Sequence, residues 1–371
     1  MAWCASQGQK IVDYGIAHSG LGHAPPARHV RITAPTQGFE HWKSDLSARV
    51  PGGMTIGQLQ QRLAEANQWL PIDADDDLTV AEVIAHDVSG PLRLTHGTCR
   101  DLLLGLRYVD ATGTLITVGG RTVKNVAGYD VTRLMVGSLN TLGLIADANL
   151  RTSAIPSQVT RIELHGLSPA ELDPLMTALL TSDASPLYLE AQVRGGERMI
   201  QIGYSGTPRG CEAQQQALME WLRANGLRPT SSQRLDSDLA AERQTHRRHR
   251  AWRRSAAAHA KLIVPPARTG SIMDALRQLE VPPYYIDALP THGVLHIGTD
   301  WSVDEACAAD EHIERILKEV GGIRLWHRRP GDTDRIAPFA PPQPDWSMLH
   351  RIKQTLDPQD LFNPGRIRYT G

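Results

Sequence analysis

The sequence predicts an α+β protein with two domains. The chain has 371 residues, which is more than one compact domain usually needs. Beyond Pro156 the predicted strands come in neighbouring pairs rather than in strict strand–helix–strand order, which indicates an antiparallel sheet. Before Pro156, a glycine-rich stretch separates short apolar runs. We therefore expect a first domain over residues 1–155, an α+β domain with an antiparallel sheet over 156–330, and a linker and closing segment over 331–371.

Elements near the N-terminus are short. Residues 1–30 predict loop with one short strand near Ile11-Val12, and residues 30–33 alternate like a strand. A helix begins at Thr55, because Thr55 and Gln58 form a capping box and apolar residues recur on one face at Ile56, Leu59, Leu63 and Ala66. Pro71 ends it, and the four aspartates between Asp73 and Asp77 predict an exposed turn.

The glycine-rich stretch predicts a hairpin and a half-buried strand. Residues 105–109 and 114–118 are apolar runs, and the Asp110–Gly113 turn separates them. Asp130 can cap a short helix that carries Leu134 and Met135. Residues 144–151 alternate, with Leu144, Ala146, Ala148 and Leu150 on one side.

The sequence of the second domain predicts strands at 160–164, 187–193, 198–203, 260–264, 284–289 and 293–298. It predicts helices at 168–181, 210–225, 269–280 and 302–319. Residues 330–344 are rich in proline and predict a linker. The last helix carries Met348, Ile352 and Leu356 at helical spacing.

Composition excludes several functional classes. Lys+Arg is 39 and Asp+Glu is 40, so a net charge of −1 argues against a nucleic-acid binder. No run approaches 18 apolar residues, and the N-terminus lacks the pattern of a signal peptide. Cys4, Cys99, Cys211 and Cys307 lie far apart, which fits a reduced cytoplasmic compartment. Sequence motifs for a P-loop, a Rossmann dinucleotide site, a zinc peptidase and a nucleophile elbow are absent.

Five glycine-bearing segments fall between Ser89 and Gly143. Because glycine lacks a Cβ and adopts positive φ, such segments let backbone N–H groups approach an anion. The alternative is a set of turns linking short strands. Clustering without Lys or Arg enrichment favours a backbone-lined cleft that suits a dinucleotide with a bulky ring system.

Four stretches in this part of the chain, three of them among these glycine-bearing segments, resemble a known family. They read Arg100–Gly105 (RDLLLG), Gly119–Gly120, Lys124–Asp130 (KNVAGYD) and Gly137–Gly143 (GSLNTLG). Together with Lys353, Leu356–Pro358 and Leu361–Arg366 (LFNPGR), they resemble the FAD-binding E subunits of bacterial glycolate oxidases. That family belongs to the vanillyl-alcohol oxidase and para-cresol methylhydroxylase (PCMH) type of flavoproteins.

The resemblance implies a fold and a cofactor site. Two α+β subdomains of a PCMH-type domain would hold FAD, an α+β cap domain would cover the flavin ring, and the C-terminal segment would return to the first domain. Carried over residue by residue, the resemblance implies that the phosphate side of FAD is contacted by Gly8 in the first glycine loop and by Ser89, Gly90 and Pro91 along the diphosphate. The flavin would lie beside Gly97, Arg100 and Asp101, and its end would contact Lys124, Asn125, Gly128, Tyr129 and Asp130. Leu144 and Ile145 would lie near adenine, and Asn363 would approach the ring from the C-terminal side.

Two loops depart from the family pattern. Gln7-Gly8-Gln9 keeps one glycine of the first loop, and Ala81-Glu82 stands where the family has a glycine pair. Two arrangements of Glu82 are open. Its side chain turns away and only its backbone N–H faces the diphosphate, or its carboxylate faces the phosphates.

The implied function is that of an FAD-binding subunit in a glycolate oxidase-like 2-hydroxy-acid dehydrogenase. The resemblance further implies a companion FAD-linked subunit, an iron–sulfur subunit, a small 2-hydroxy-acid substrate, and peripheral contact with a membrane through that complex. The alternative is a scaffold subunit that has lost FAD. The sequence identifies no catalytic base and no metal ligand.

Other conspicuous residues have plainer interpretations. Six arginines between Arg243 and Arg254 have two interpretations, a site that binds nucleic acid or a carboxylate, or the plainer one of a solvated helix face or a subunit contact. The spacing of Arg248 and Trp252 also allows a local cation–π pair. His246 and His249 at helical spacing are poor candidates for metal ligands. Buried or core positions are expected for Cys99, Trp301, Trp326 and Trp346, and Tyr284-Tyr285 is expected to open a strand.

Overall fold

A computed structural model describes residues 10–11, 29–30, 33–121, 131–181, 184–279, 281, 284–331, 335–341 and 345–365. The described residues divide into two compact units. The first contains the residues up to Ile155 together with 345–365, and the second contains residues 156–341. Each unit combines helices with an antiparallel sheet, which confirms the predicted α+β class.

The first unit contains short strands and helices up to Ile155. Its strands are β1 (Lys10–Ile11), β2 (His29–Val30), β3 (Glu40–Trp42), β4 (Ser47–Pro51), β5 (Gln68–Trp69), β6 (Leu103–Val109), β7 (Leu115–Gly119), β8 (Leu144–Arg151) and β9 (Ser153–Ala154). Its helices in this part are α1 (Ile56–Ala64), α2 (Val80–Ala85), α3 (Arg93–His96), α4 (Cys99–Leu102) and α5 (Val131–Met135).

A five-stranded antiparallel sheet in the order β3-β4-β8-β6-β7 carries the core of this unit. The predicted hairpin is confirmed as β6 and β7, and the Asp110 carboxylate accepts the N–H groups of Thr112 and Thr114 at 2.9 Å each. Helix α1 has the predicted capping box. Its buried residues Ile56, Leu59 and Leu63 share one core cluster with Ala148 and Leu150 of β8.

Two polar positions are buried where the sequence predicted exposure. Asp147, on the polar side of β8, is 8% exposed and forms an ion pair with Arg107 of β6. Asp73 is 9% exposed, and its carboxylate accepts the N–H of Leu92 at 2.7 Å. The prediction of an exposed Asp73–Asp77 turn was therefore wrong for Asp73 and Ala74, which are buried, and only Asp77 is exposed. A distant backbone donor satisfies the Asp73 carboxylate.

The second unit is built on a nine-stranded antiparallel sheet in the order β13-β10-β12-β11-β15-β16-β14-β17-β18. Its strands are β10 (Gln158–His165), β11 (Tyr188–Arg194), β12 (Glu197–Gly206), β13 (Ser231–Ser237), β14 (Ala258–Ile263), β15 (Tyr285–Leu289), β16 (Val294–Thr299), β17 (Ile323–Arg328) and β18 (Phe339–Ala340). Its helices are α6 (Pro169–Thr181), α7 (Pro208–Ala224), α8 (Leu239–Arg250), α9 (Trp252–Ser255), α10 (Thr269–Leu276) and α11 (Val303–Val320).

All six predicted strands and all four predicted helices of this unit are present. Three strands, β13, β17 and β18, were missed. Strand β13 reads SSQRLDS and lies at the sheet edge, where it needs no apolar alternation. Strands β17 and β18 pair with each other in antiparallel fashion. Strand β18 lies within residues 330–344, which were predicted to form a linker.

The sheet of the second unit has one apolar and one polar face. Ile162, Leu189, Ile202, Ile286 and Ile297 are buried on the apolar face. On the other face, register pairs Gln192 with Asp287, Asp287 with His296, and His296 with Lys261. Cross-strand partners project from the same side of a sheet, so these polar side chains form one continuous polar face.

The chain closes with helix α12 (Trp346–Leu356), which belongs to the first unit. After it, Phe362 pairs in parallel with Ile11 of β1, and the Ile11 N–H donates to Leu361 O at 2.7 Å. Among the described residues, no helix combines the length and the apolar character needed to cross a membrane.

Candidate functional site

The residues predicted to bind the cofactor divide into two groups. Gly8, Lys124, Asn125, Gly128, Tyr129 and Asp130 lie outside the described residues. The others lie in the first unit: Gly90, Pro91, Ile145 and Asn363 are buried, Ser89, Gly97 and Leu144 are half-buried, and Arg100 and Asp101 are exposed. Their roles toward FAD stay predictions.

Three segments of the first unit come together in what we call the loop layer, residues 84–90, 137–141 and 357–363. The Gly137 N–H donates to Ile84 O at 3.0 Å, and the Leu139 N–H donates to Ala85 O at 2.8 Å. These bonds satisfy carbonyls at the C-terminal end of α2, which has no further helical turn to supply donors. The turn that begins at Gly137 is thereby fixed to the end of the α2 helix.

The C-terminal segment holds three consecutive carbonyls of this turn. Asn363 Nδ2 donates to Leu139 O at 3.0 Å and to Asn140 O at 3.2 Å. Lys353 Nζ donates to Thr141 O at 2.8 Å and to Phe362 O at 3.0 Å. Lys353 is 7% exposed and forms an ion pair with Asp357. The family's closing motif therefore acts here as a clamp on residues 139–141.

Backbone strain is concentrated in the loop layer. Asp87, Leu139, Asn140 and Asn363 have φ values of 48°, 54°, 53° and 41°, which non-glycine residues seldom adopt. Such conformations cost free energy and persist where the surrounding structure fixes them, often at ligand sites. The strain marks this layer as the candidate functional site.

Several glycines of the predicted cleft are explained by internal packing instead. A Cβ at Gly143 would lie 2.6 Å from the Tyr108 ring, and a Cβ at Gly105 would lie 2.6 Å from Gly120 N. At Gly97, where φ is 81°, a Cβ would lie 2.6 Å from Cβ of Asp101. These glycines permit close approach between parts of this chain. Their presence is therefore explained without a contact to the cofactor.

Asp101 caps a helix of its own. Its carboxylate accepts the Thr98 N–H at 2.7 Å and the Thr98 hydroxyl at 2.8 Å, which closes a capping box on α4. The hydrogen bond from the Thr98 backbone lowers the pKa of Asp101, although burial opposes that shift.

Glu82 has the same arrangement on α2. Its carboxylate accepts the Thr79 N–H at 2.6 Å, and the Glu82 N–H donates to the Thr79 hydroxyl at 3.3 Å. The carboxylate and the backbone N–H of Glu82 therefore both bind Thr79. The side chain is turned back on its own helix, as in the arrangement in which it faces away from the diphosphate. That arrangement also left the backbone N–H to face the diphosphate, whereas here the N–H donates to the Thr79 hydroxyl.

Glu82→Gly is expected to change the FAD affinity of the chain by less than about tenfold while lowering its stability by about 1–3 kcal/mol. The stability loss combines a broken capping box with the helix cost of glycine. FAD titration followed by thermal unfolding measures both quantities.

Thr79→Ala is the matched control, because it removes the same box and leaves the carboxylate in place. It should reproduce most of the stability loss and leave the affinity unchanged. A hundredfold tightening in Glu82→Gly alone would show that the carboxylate faces the phosphates.

Whether FAD suits the loop layer can be judged from polar atoms that the layer leaves unsatisfied. Asp87 Oδ1 and Ser138 Oγ are buried and have no hydrogen-bond partner among the described residues. They belong to adjacent segments, since a Cβ at Gly137 would lie 3.7 Å from Asp87 Cβ. Buried polar groups normally have partners. The hydroxyl, imide and amine groups of FAD offer donors and acceptors of the required kind, so the layer fits this cofactor.

Arg93 of α3 was missed by the sequence analysis. Its Nε is buried without a hydrogen-bond partner in the described part of the chain. Burial lowers the pKa of Arg93, while the carboxylates of Asp87 and Asp101 raise it. It is the one Lys or Arg between Ser89 and Cys99. A single cation among glycine-bearing segments was the feature of the sequence that could have identified it as a candidate site residue.

The arginine run of the second unit is a solvated face only in part, because Arg248 and Arg254 are exposed and the other four arginines are half-buried. Most of it lies on α8 and α9, where Arg253 forms an ion pair with Asp287 at 3.0 Å. The cation–π pair is between Arg253 and Trp252, not between Arg248 and Trp252 as suggested. His246 lies 3.2 Å from the Glu242 carboxylate. Cys99, Trp301 and Trp326 are buried as predicted, Trp346 is half-buried, and β15 begins at Tyr285.

Comparison with known families supports the cofactor. Residues 1–132 match the family described as FAD binding domain. The expectation of FAD as cofactor is confirmed at the level of this FAD-binding domain.

Relatives extend the likeness beyond this domain. The chain is 26% identical over 336 residues to glycolate oxidase subunit GlcE of Escherichia coli (strain K12), covering 87% of this chain and 81% of that protein. This confirms the resemblance to glycolate oxidase E subunits. A probable mitochondrial D-lactate dehydrogenase of Danio rerio is 34% identical over 120 residues, and the match spans only 24% of that protein.

Solved structures show the same fold. An alkyldihydroxyacetonephosphate synthase superposes with a TM-score of 0.66 at 15% identity, covering 97% of this chain and 73% of that one. The fold predicted from the resemblance to PCMH-type flavoproteins is thereby confirmed.

Proposed function

We propose that this chain is the FAD-binding subunit of a glycolate oxidase-like 2-hydroxy-acid dehydrogenase. The observation that carries the proposal is the GlcE likeness over 87% of the chain together with a strained loop layer in which Asp87 Oδ1 and Ser138 Oγ have no hydrogen-bond partner among the described residues. When bound, FAD supplies acceptance of a hydride from the carbon that bears the hydroxyl group.

The chain's own residues bind and orient the cofactor. Ser138 and Asp87 present a hydroxyl and a carboxylate to polar groups of FAD, and Arg93 supplies positive charge for the diphosphate. Lys353 and Asn363 fix the carbonyls of residues 139–141, so that the turn keeps one conformation. Ser89, Gly90, Pro91, Gly97, Arg100, Leu144 and Ile145 complete the proposed set within the described residues.

The proposal includes partners. A companion FAD-linked subunit and an iron–sulfur subunit would pass the electrons on, and the four widely spaced cysteines support an iron–sulfur site on another chain. The name of the E. coli relative, a glycolate oxidase subunit, supports a multi-subunit complex. A cytoplasmic location and a small 2-hydroxy-acid substrate belong to the same proposal.

The purified full chain, reconstituted with excess FAD and desalted, is expected to retain up to one FAD per chain. Arg93→Met should weaken FAD binding by about tenfold to a hundredfold, which corresponds to about 1.4–2.8 kcal/mol. Flavin absorbance and a fluorescence titration measure these quantities.

Arg62→Met on α1 is the matched control and should bind FAD like the wild type. Glycolate turnover should be weak for the chain alone and should appear with the companion subunits. A wild-type chain that retains no flavin would instead favour a scaffold subunit, for which Ala81-Glu82 in place of a glycine pair is the supporting observation.

A further inference from the structure

Strand β13 forms one edge of the nine-stranded sheet of the second unit. It covers Ser231–Ser237, and among the described residues it pairs with β10 alone. A strand with one neighbour presents a row of N–H and C=O groups on its outer side, which makes it a template for another strand. Ser231, Ser232 and Gln233 are exposed, so this edge is open to solvent.

Strand β13 lacks the features that usually protect an edge. Natural edge strands carry lysine, proline or a bulge, or they are very short. The opposite edge of the same sheet follows this rule, because β18 has two residues and Pro341 comes directly after it. Strand β13 has seven residues, contains neither lysine nor proline, and pairs with β10 in one register without a shift. Such an edge is suited to pairing with a strand of another molecule.

The two charges of β13 lie on the same side of the strand. Arg234 and Asp236 are two positions apart, and alternate residues of a strand project to the same side. They form an ion pair at 3.0 Å, with side chains that are 27% and 47% exposed. Asp236 Oδ1 also accepts the Thr160 hydroxyl at 2.6 Å, whereas the donor to Oδ2 among the described residues is Arg234 Nε at 3.1 Å. A carboxylate oxygen has two lone pairs, so Oδ2 has room for a second donor.

A second copy of β13 fits this edge by symmetry. A two-fold axis perpendicular to the sheet places an antiparallel copy beside the strand, and one residue then lies opposite its own copy. With Leu235 at the axis, Arg234 of each chain lies opposite Asp236 of the other. Moving the axis by one residue places Arg234 opposite Arg234, or Asp236 opposite Asp236. Opposite charges on facing strands stabilise a pairing and like charges oppose it, so these two residues select the register centred on Leu235.

We infer that β13 is a homodimer interface, in which two copies of the chain pair edge to edge in the register centred on Leu235. The nine-stranded sheets of the two copies then form one continuous sheet. Backbone hydrogen bonds and two ion pairs between Arg234 and Asp236 join the copies. The inference goes beyond the proposed function and does not depend on it, because β13 contributes no residue to the loop layer.

Sedimentation velocity of the full chain measures the oligomeric state. The wild type is expected to form a dimer with a Kd in the micromolar range, because the contact is small. Arg234→Asp places two carboxylates opposite each other on both sides of the axis, and Asp236→Arg does the same with two guanidinium groups. Each variant alone is therefore expected to raise the Kd by about tenfold or more.

An equal mixture of the two variants tests the register itself. The Arg234→Asp chain has carboxylates at positions 234 and 236, and the Asp236→Arg chain has guanidinium groups at both. In the register centred on Leu235 these two strands are complementary. The mixture should therefore form a heterodimer with a Kd close to that of the wild type, although each variant alone associates weakly. Loss of the ion pair within each chain cannot produce this rescue, because the mixture does not restore that pair.

Arg209→Asp on α7 is the matched control, since Arg209 is exposed and lies outside β13. It should dimerise like the wild type, and circular dichroism checks that each variant is folded. If the variants of β13 do not fold, hydrogen exchange of the wild type decides. Outward amides of residues 233–237 should exchange at least about tenfold more slowly in the dimer than in the monomer, while those of β7 in the first unit should not change.

The outcomes that would overturn the inference are distinct from those that concern FAD. A wild-type chain that stays monomeric at about 100 µM would overturn it. A dimer whose Kd is the same in both variants, or a mixture that associates no better than each variant alone, would also overturn it. A chain that dimerises as expected but never retains FAD would overturn the proposed function and leave the interface.

Discussion

Lys353→Met is expected to lower the free energy of unfolding of the first unit by about 3–5 kcal/mol. Lys353 is 7% exposed, and its ammonium group donates to Thr141 O and Phe362 O and forms an ion pair with Asp357. Removing one member of a buried ion pair leaves the other charge uncompensated, which costs about this much. Two carbonyls lose their donor as well.

Thermal unfolding measures the effect, and a loss of this size lowers the melting temperature by roughly 6–20 °C for a unit of this length. Lys318→Met on α11 is the control, because Lys318 is exposed and a surface change stays within about 0.5 kcal/mol. A melting temperature within 2 °C of the wild type would contradict the clamp.

The same variant is expected to bind FAD more weakly. Because Lys353 fixes Thr141 O, its removal frees the turn at residues 139–141, and the cofactor must then order it on binding. Saturating FAD should therefore raise the melting temperature of the wild type more than that of Lys353→Met. An equal rise in melting temperature for both proteins would show that the contacts of Lys353 do not affect FAD binding.

Local patterns predicted most of the elements. Alternation and the Asp110–Gly113 turn predicted β6, β7 and β8, and the box at Thr55 and Gln58 predicted α1. These features depend on residues a few positions apart. The same spacing also occurs at Thr79 and Glu82, where it explains a glutamate that seemed misplaced against the family pattern.

Contacts between distant parts of the chain could not be predicted in this way. The bond from Lys353 to Thr141 spans 212 positions, and that from Asn363 to Leu139 spans 224. The resemblance indicated that the C-terminal segment returns to the first domain. It did not indicate that two of its side chains hold three successive carbonyls.

The polar face of the second sheet was missed for a different reason. Glu190 and Asp287 are fully buried, yet in an alternating strand they look the same as exposed residues. Only the register of the strands brings Asp287, His296 and Lys261 side by side. Buried polar residues are costly, so such a face points to function, which alternation alone does not reveal.

The second large effect is expected at Glu242 of α8, which joins this helix to the polar face. Its carboxylate accepts hydrogen bonds from the Tyr188 hydroxyl, from Arg161 at 2.6 Å and from Ser237 at 3.2 Å. His246 Nε2 lies 3.2 Å away. Burial alone would raise the pKa of Glu242, but His246, Tyr188 and Arg161 outweigh it and lower the pKa from 4.5 to about 2.

A lowered pKa in the folded state stabilises the fold above the unfolded value. The contribution is complete above pH of about 4.5 and is lost as the pH falls toward about 2. Its size is about 3 kcal/mol, because each pKa unit corresponds to about 1.4 kcal/mol. Glu242→Gln should therefore lower the free energy of unfolding by about 3 kcal/mol at pH 7 and by much less at pH 2.5.

Urea unfolding between pH 7 and pH 2.5 measures this difference. Glu212→Gln on α7 is the control, because Glu212 is exposed, and it should follow the wild-type curve within about 0.5 kcal/mol. In Glu242→Gln the stability should fall less steeply with acid than in the wild type, since the variant has no carboxylate to protonate at this position. Parallel curves for the two proteins between pH 4.5 and pH 2.5 would show that Arg161, Tyr188 and His246 do not stabilise the ionised carboxylate.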